Sequence, residues 1–326
     1  MSNALKSPVC RIGGKAMLTG WLSQYMPQHV TYVEPFSGAG HLLFSKQPSP
    51  VEVINDIDCN LIAFFRVVKD AEKRQRLIET LEYMPYARTL WQDIRCRWKA
   101  GDLPQDEVEK AAWWFYLNRS TYGGDMATGG FAMPSITGRN PAASYQSAIG
   151  GLEHVASRLK GVTVECLEYT DCVRRYDSPD SFFYVDPPYV NAEGYYGDNF
   201  AQDSHLKLAE LLHGVKGKVM LSHYQNSLYD DLYKGWGRYE YQSFKGSYKS
   251  AGESKPVTTE ILYTNFKPLQ TRSLFDAALL VGRRYLREKL LHGGDRKSKG
   301  NICTLKPTAE KLAGEYKVSP ALRKVY

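Results

Sequence analysis

Short apolar runs, each closed by a turn-forming or acidic residue, recur along the chain and predict the strands of an α/β sheet. The runs that predict strands are 31–34, 51–54, 162–164, 181–185, 218–224 and 259–266. Apolar residues at helical spacing predict helices between them, at 16–25, 41–44, 60–68 and 111–119. This alternation of strand and helix predicts an open α/β fold, and our interpretation of the whole sequence is such a fold with a mixed sheet.

The tetrapeptide Asp186-Pro187-Pro188-Tyr189 directly follows the apolar run 181–185. Two prolines cannot continue a strand ladder, so the backbone leaves the sheet at a strand's carboxyl end, where open α/β sheets bind ligands. Asp186 and the Pro187 carbonyl can accept hydrogen bonds from a planar, amino-bearing heterocycle on which the Tyr189 ring stacks. A strand-ending turn explains the same residues, so the tetrapeptide alone leaves both interpretations open.

A glycine turn, Pro35-Phe36-Ser37-Gly38-Ala39-Gly40, joins the first strand to a helix and predicts a nucleotide-cofactor site. It lacks the dinucleotide fingerprint and the phosphate-loop lysine, which argues against NAD and ATP. Asp56, at the end of the second strand, is placed to accept hydrogen bonds from ribose hydroxyls. We expect Asp58 to cap the helix that follows. Lys15 comes after two glycines at a predicted helix start and can hold an anion.

Composition is that of an ordinary globular chain: 326 residues, 43% hydrophobic and 24% charged. This length suits one large α/β domain with an accessory region. We see no apolar stretch long enough to span a bilayer and no layout typical of a signal peptide. The spacing of the six cysteines predicts neither a disulfide framework nor a zinc site, which fits a cytoplasmic protein.

The charge is concentrated at one end of the chain. Residues 271–326 carry 13 Lys and Arg against 5 Asp and Glu, a net charge of +8, whereas the remainder nets −1. This asymmetry predicts a basic extension over residues 270–326 that faces nucleic acid, the alternative being a merely solvated basic surface. Its last part, 308–326, resembles a partial helix-turn-helix; a packed helix pair is the rival interpretation.

Five motifs stand in the order found in Dam-type (D12 class) DNA adenine N6-methyltransferases, which the chain resembles over residues 8–266. They are Gly13-Gly14-Lys15, the glycine turn that follows Glu34, Asn55-Asp56-Ile57, Asn118-Arg119 and the tetrapeptide at Asp186. The resemblance implies a Rossmann-like fold and S-adenosylmethionine as the methyl donor. It implies donor contacts from Lys15, Phe36, Gly38, Gly40, Asp56, Ile57, Glu168, Tyr169 and Asp186. The catalytic residues it implies are Asp186, Pro187 and Tyr189.

The resemblance also divides the chain. Residues 1–70 and 157–269 form the expected catalytic domain, and 71–156 form an inserted, mainly helical region that reads DNA. Within the insert we expect core roles for Trp113 and Phe115, and a functional loop over 120–144. The expected DNA contacts are Asn118, Arg119, Tyr122, Arg139 and Asn140. The Gly123-Gly124-Asp125-Met126 stretch departs from relatives that read GATC, so the recognition sequence stays open.

The implied reaction is transfer of the donor's methyl group to N6 of an adenine flipped out of double-stranded DNA, by a monomer that needs no metal or membrane. Three alternatives remain open at this point. Relatives that methylate N4 of cytosine usually have serine in place of Asp186. Relatives that act on RNA or on a protein amide usually have asparagine at that position. A DNA-binding module with an inactive methyltransferase body is the third. We expect His223, near another strand end, to be structural.

Overall fold

The structure is a computed structural model that describes residues 5–190, 200–244 and 257–268. The basic extension and most of the loop 244–257 lie outside these ranges, so the predictions made for them remain predictions. In the described part of the chain, we find no helix that is both long and apolar enough to cross a membrane.

Seven strands form one mixed sheet in the order β3-β2-β1-β4-β5-β7-β6. The first five run parallel, and β7 is antiparallel to both β5 and β6. The mixed α/β sheet predicted from the sequence is therefore confirmed. The strands are β1 Thr31–Glu34, β2 Val51–Asn55, β3 Val162–Glu165, β4 Ser181–Val185, β5 Lys218–Tyr224, β6 Gly237–Phe244 and β7 Val257–Thr264.

Two strand predictions need correction. The last strand begins and ends two residues earlier than the predicted 259–266. The strand β6 was not predicted, because its alternating Tyr and charged residues give only the weak pattern of an edge strand. Its Tyr239 and Tyr241 rings pack against Tyr25 and Trp21, with centroid separations of 4.6 and 5.2 Å.

Eleven α-helices are present among the described residues. They are α1 Thr19–Leu22, α2 His41–Ser45, α3 Cys59–Lys69, α4 Ala71–Glu82, α5 Arg88–Ala100, α6 Glu107–Ser120, α7 Pro141–Gly150, α8 Leu152–Leu159, α9 Tyr169–Tyr176, α10 Gln202–His213 and α11 Ser227–Leu232. The carboxylate of Asp58 accepts hydrogen bonds from two amides of the first turn of α3, so the predicted cap is confirmed.

Two helix boundaries differ from the prediction. The helix expected over 16–25 is a single α-helical turn, α1, followed by a 3₁₀ turn at Ser23–Tyr25. The loop expected over 120–144 ends earlier, because α7 begins at Pro141. The Asn140 side chain accepts from the amide of Ala143 at 3.1 Å and caps this helix, and proline suits its first position.

Both faces of the sheet are buried, each under its own hydrophobic cluster. The cluster on one face also contains the apolar residues of the inserted helices, so insert and sheet share a core. The Phe64 ring of α3 stacks on Phe115 of α6 at 5.0 Å with an interplanar angle of 7°. Trp113 is 8% exposed and Phe115 is fully buried, which confirms their predicted core roles.

One disulfide joins Cys59 at the start of α3 to Cys166 after β3. The cysteine spacing did not predict it, because the two residues are 107 positions apart and leave no local signature. Among the other described cysteines, Cys10, Cys96 and Cys172 are free thiols.

Candidate active site

The candidate site lies where the strand order reverses, between β1 and β4. The chain leaves β1 toward β2 on one side and continues from β4 toward β5 on the other. The loops that follow β1 and β4 therefore diverge at the carboxyl edge of the sheet and open a crevice, which is where open α/β folds bind ligands. Phe36 follows β1 closely and Asp186 follows β4, so the topology brings two sequence-predicted site residues to this crevice.

The glycine loop after β1 is tied to the end of β2. The amide of Gly38 donates to Asp56 Oδ2 at 2.8 Å, and Asp56 Oδ1 accepts from the amide of Asp58 at 2.9 Å. Gly38 and Gly40 have φ values of +47° and +63°, in the left-handed region that favours glycine. Asp56 was predicted to bind ribose. In the structure its carboxylate also holds the glycine loop in place.

The buried side chain of Asn55 joins the loops after β1 and β3. Its Nδ2 donates to the carbonyls of Pro35 and Leu167, both at 2.9 Å. Its Oδ1 accepts from the amide of Leu167 at 2.8 Å. One amide thus fixes the spacing between the glycine loop and the loop that carries Glu168 and Tyr169.

An aromatic wall, formed by Phe36, Tyr169 and Phe200, stands beside the glycine loop. The rings of Phe36 and Tyr169 stack at 5.0 Å, and Phe200 lies 5.8 Å from each. Ile57, which the sequence predicted to contact the donor, is 61% exposed. The side chain of Glu168 is also exposed and accepts no capping hydrogen bond from the first turn of α9.

Asp186 lies in a largely buried polar cluster. Its Oδ1 is 2.9 Å from the ammonium of Lys15, accepts from Ser222 Oγ at 2.9 Å and lies 3.1 Å from the Tyr189 hydroxyl. The Lys15 side chain is only 7% exposed, so its charge needs a partner. All three contacts use Oδ1.

Two residues with predicted ligand contacts have close partners within the protein. Lys15 was expected to hold the donor's carboxylate, but its ammonium contacts Asp186, the Gly13 carbonyl at 3.0 Å and Glu260 at 3.4 Å. Tyr189 was expected to stack on the target base, but its ring is 7% exposed. That ring packs on His223 at 4.5 Å and under the Lys15 ammonium at 4.6 Å. Both side chains are committed to the protein's own groups.

Sequence reasoning missed Ser222 and Glu260, which complete the cluster. They lie on β5 and β7, and only the pairing of these strands with β4 and with each other brings them to Asp186. The Tyr189 hydroxyl donates to Glu260 as well as approaching Asp186. No local motif marks either residue.

His223 is structural, as predicted. Its Nε2 accepts from the amide of Val190 at 3.1 Å, so its Nδ1 carries the proton and donates to the Tyr224 carbonyl at 2.7 Å. Burial lowers the pKa of His223 to about 4, which keeps the ring neutral at physiological pH. It anchors Val190, the residue that follows the tetrapeptide Asp186–Tyr189.

The predicted DNA contacts fall into two groups. Asn118 is 1% exposed, and its amide donates to the carbonyl of Cys10 at 2.8 Å and accepts from the Cys10 amide at 2.9 Å. Arg119 contacts Cys10 Sγ at 3.0 Å and Ser144 Oγ at 2.7 Å. These two side chains support the N-terminal segment that leads to Lys15, and their predicted contacts with DNA remain predictions.

The second group lies at the surface of the insert. Tyr122 is 41% exposed, and the exposed guanidinium of Arg139 lies 5.2 Å from its ring centroid. Asn140 is exposed, but its side chain caps α7. Of the five predicted contacts, Tyr122 and Arg139 are therefore the pair that the structure brings together on an accessible surface.

The polar side chains of the site do not gather as metal ligands do. In the ranges that the structure describes, no group of three or more His, Cys, Asp or Glu residues is placed to hold a metal ion.

Comparison with known proteins places this site in a family. The sequence profile of the D12 class N6 adenine-specific DNA methyltransferases matches residues 12–246 of the chain. The match begins just before Lys15 and includes the glycine loop, Asp56 and Asp186.

Individual relatives are distant but extend over most of the chain. The Type II methyltransferase M1.LlaDCHI of Lactococcus lactis subsp. cremoris is 26% identical, over 78% of this chain and 93% of its own length. The Type II methyltransferase M.MjaIII of Methanocaldococcus jannaschii is 27% identical, over 69% and 86%. The DNA adenine methylase of Escherichia coli is 27% identical, over 68% and 82%.

A buried acid beside the site yields a prediction about stability. Burial raises the pKa of Glu34 to about 7, although hydrogen bonds from the Tyr32 hydroxyl and the Leu43 amide oppose the rise. The folded state therefore binds a proton here more tightly than the unfolded chain does. The contribution of this proton to the free energy of unfolding is fully present below the pKa that Glu34 has in the unfolded chain. It is lost as the pH rises through about 7.

We expect Glu34→Gln to remove this dependence, because the amide is neutral at every pH and its oxygen can accept both hydrogen bonds. Relative to the wild type, the variant should gain about 2–3 kcal/mol in free energy of unfolding between about pH 5 and pH 8. Urea unfolding at both pH values measures this difference. The exposed Glu153→Gln is the control. A gap between wild type and Glu34→Gln that is constant with pH would contradict the assignment.

Proposed function

The chain belongs to the D12 class of N6 adenine-specific DNA methyltransferases, and from that premise we propose that the crevice between β1 and β4 is where it methylates adenine. The family supplies the activity: methyl transfer to N6 of adenine in DNA, with S-adenosylmethionine as the donor used by such enzymes. The placement of each ligand in this chain, the duplex form of the DNA and a monomeric state on DNA are our proposals. The position of Asp186 is the observation that carries them.

The residues around the glycine loop fit the donor. Gly38 and Gly40 have no side chains, so a ligand can approach the backbone of the loop closely. Asp56 presents its carboxylate oxygens at the end of β2. The exposed side chain of Ile57 and the half-buried rings of Phe36 and Tyr169 offer apolar and aromatic surface for a purine, with the exposed Glu168 next to it. When bound, S-adenosylmethionine supplies a methyl group on a positively charged sulfur, which is already activated for transfer and needs no metal.

Asp186 is held so that it can activate the acceptor. The lone pair of adenine N6 is delocalised into the ring, so the nitrogen is a weak nucleophile. A hydrogen bond from the amino group to Asp186 Oδ2, and a second to the Pro187 carbonyl, favour localisation of that lone pair. The contacts of Oδ1 with Lys15 and Ser222 fix the carboxylate before the base arrives, which is the preorganisation that such electrostatic effects require.

The polar cluster is largely buried, so an adenine stacked within a duplex cannot reach it. We propose that the base is flipped out of double-stranded DNA, at a cost of a few kcal/mol. Tyr122 and Arg139 are the exposed groups that we assign to DNA, by stacking on bases and by contact with phosphate or a base edge. Asn118 and Arg119 act indirectly, by holding the segment that carries Lys15.

The first test concerns chemistry. We expect Asp186→Ala to bind donor and DNA but to methylate at least about a hundredfold more slowly, because a preorganised contact to the transition state is lost. A single-turnover assay with a synthetic duplex and labelled donor measures the rate. Asp177→Ala, which removes a carboxylate before β4, is the control. Near-normal turnover of Asp186→Ala would remove Asp186 from the mechanism.

The second test concerns the donor. Asp56→Ala should weaken S-adenosylmethionine binding by ~1–3 kcal/mol, because the ribose loses a charged acceptor and the glycine loop loses its tie. Calorimetry measures the affinity. Asp70→Ala is a matched control, because Asp70 also accepts from two backbone amides but does so at the start of α4. Equal donor affinity in both variants would overturn the assignment of Asp56.

The third test concerns residues 271–326, whose charge we propose contacts DNA phosphates. Each lost contact should lower the slope of log affinity against log salt by about 0.9, so deletion of this segment should flatten the salt dependence and weaken binding. The methylated sequence should stay the same, since the insert reads the bases. Relaxed sequence preference would favour a helix-turn-helix reader instead, and an unchanged salt slope would refute the DNA contact.

A further inference from the structure

Glu260 is a second carboxylate in the active-site cluster. It lies on β7, the antiparallel strand, where its register partner is Tyr224 at the end of β5. Since β5 runs parallel to β4, this pairing brings Glu260 to the same edge of the sheet as Asp186. Its side chain is 4% exposed, so it belongs to the interior of the site and not to its rim.

Glu260 shares both of its polar partners with Asp186. The Lys15 ammonium lies 2.9 Å from Asp186 and 3.4 Å from Glu260. The Tyr189 hydroxyl lies 3.1 Å from Asp186 and closer still to Glu260, to which it donates. A hydroxyl has only one hydrogen, so the Tyr189 hydroxyl donates mainly to Glu260, the nearer of the two carboxylates.

The two carboxylates therefore compete for one ammonium and one hydroxyl hydrogen. Two ionised acids and one lysine leave a net negative charge in a buried space. Without Glu260, more of the ammonium's charge would fall on Asp186 and draw electron density away from Oδ2, the oxygen proposed to accept from N6. A nearby cation lowers the basicity of a carboxylate, which makes it a weaker acceptor for a third group.

We propose that Glu260 is a positioning residue for methyl transfer: it holds the Tyr189 hydroxyl and part of the Lys15 charge, so that Asp186 stays oriented and available to the N6 amino group. The inference rests on the proposed role of Asp186. It adds a group that acts through Tyr189 and Lys15 and touches neither donor nor base.

The proposal predicts a pH dependence. Glu260 is faced by Lys15, Asp186, Tyr189, Tyr184 and Tyr224. Burial raises the pKa of Glu260, the nearby Asp186 raises it further, and Lys15 and the Tyr189 hydroxyl oppose the rise. As pH falls through this raised pKa, Glu260 takes up a proton, the charged acceptor for Tyr189 is lost and Lys15 turns to Asp186. The methylation rate should fall with it.

The test is the pH profile of single-turnover methylation, at saturating donor and duplex DNA, for wild type and Glu260→Gln. The variant keeps the shape of the side chain and removes its charge. We expect a plateau rate roughly ten- to hundredfold lower, as for loss of a hydrogen bond to a charged group. We also expect donor and DNA affinities within about twofold of wild type and an acid limb displaced to lower pH. Glu240→Gln, on the neighbouring strand β6, is the control and should keep the wild-type profile.

A second comparison covers the case in which Glu260→Gln does not fold. Tyr189→Phe removes the hydroxyl that Glu260 holds, and Glu260→Asp keeps the charge with a shorter reach. The acid limb should persist in Glu260→Asp. Where Glu260→Gln folds, the double variant with Tyr189→Phe should be no slower than the slower single variant.

Two results would overturn the inference. One is a Glu260→Gln profile that is lowered uniformly with the acid limb unmoved, as a purely structural role predicts. The other is full multiplication of the two single effects in the double variant, which would mean that Glu260 does not act through Tyr189. In both cases the wild-type protein would still methylate adenine. Failure of the proposed function would instead appear as a wild-type protein that does not methylate adenine.

Discussion

The buried ion pair between Lys15 and Asp186 is the interaction on which the rest of the site depends. An ammonium and a carboxylate this far from water are stable only if each is paired and hydrogen bonded, so both chain segments that carry them must be fixed accurately. Asp186 is fixed by the end of β4. Lys15 comes from an N-terminal segment with little regular structure, and the insert helps to hold this segment: Asn118 hydrogen bonds to the Cys10 backbone, and Arg119 contacts its sulfur.

This arrangement couples two regions that the sequence had assigned to separate tasks. The α6 helix belongs to the insert, in which we place DNA reading, yet its last turn supports the segment that carries Lys15. Gly124 packs so closely on Cys10 that a Cβ there would lie 2.4 Å from the Cys10 carbonyl oxygen. The loop that we propose reads DNA is therefore linked by a few contacts to the segment that carries Lys15, the partner of Asp186.

The sequence predicted those parts of the fold and the site that are encoded locally. The strands at 31–34 and 181–185 have the predicted bounds, because dense apolar runs between turn-forming residues admit few alternatives. Asp186, Asp56 and the glycine loop could be proposed as site residues because each is part of a short motif. The role of Glu260 and the disulfide of Cys59 with Cys166 were not predicted, because each depends on a partner that is close only after the sheet has formed. The structure brings Lys15 to Asp186, and this partner was not predicted, because the sequence near a lysine does not show which anion the lysine meets after folding.

Analysis of the modified nucleoside tests the central claim most directly. Duplex DNA of mixed sequence would be incubated with the purified protein and S-adenosylmethionine carrying a deuterated methyl group, then digested and examined by mass spectrometry. The account predicts that the label appears in N6-methyldeoxyadenosine alone. Label in N4-methyldeoxycytidine, or bound donor with no labelled nucleoside, would contradict it.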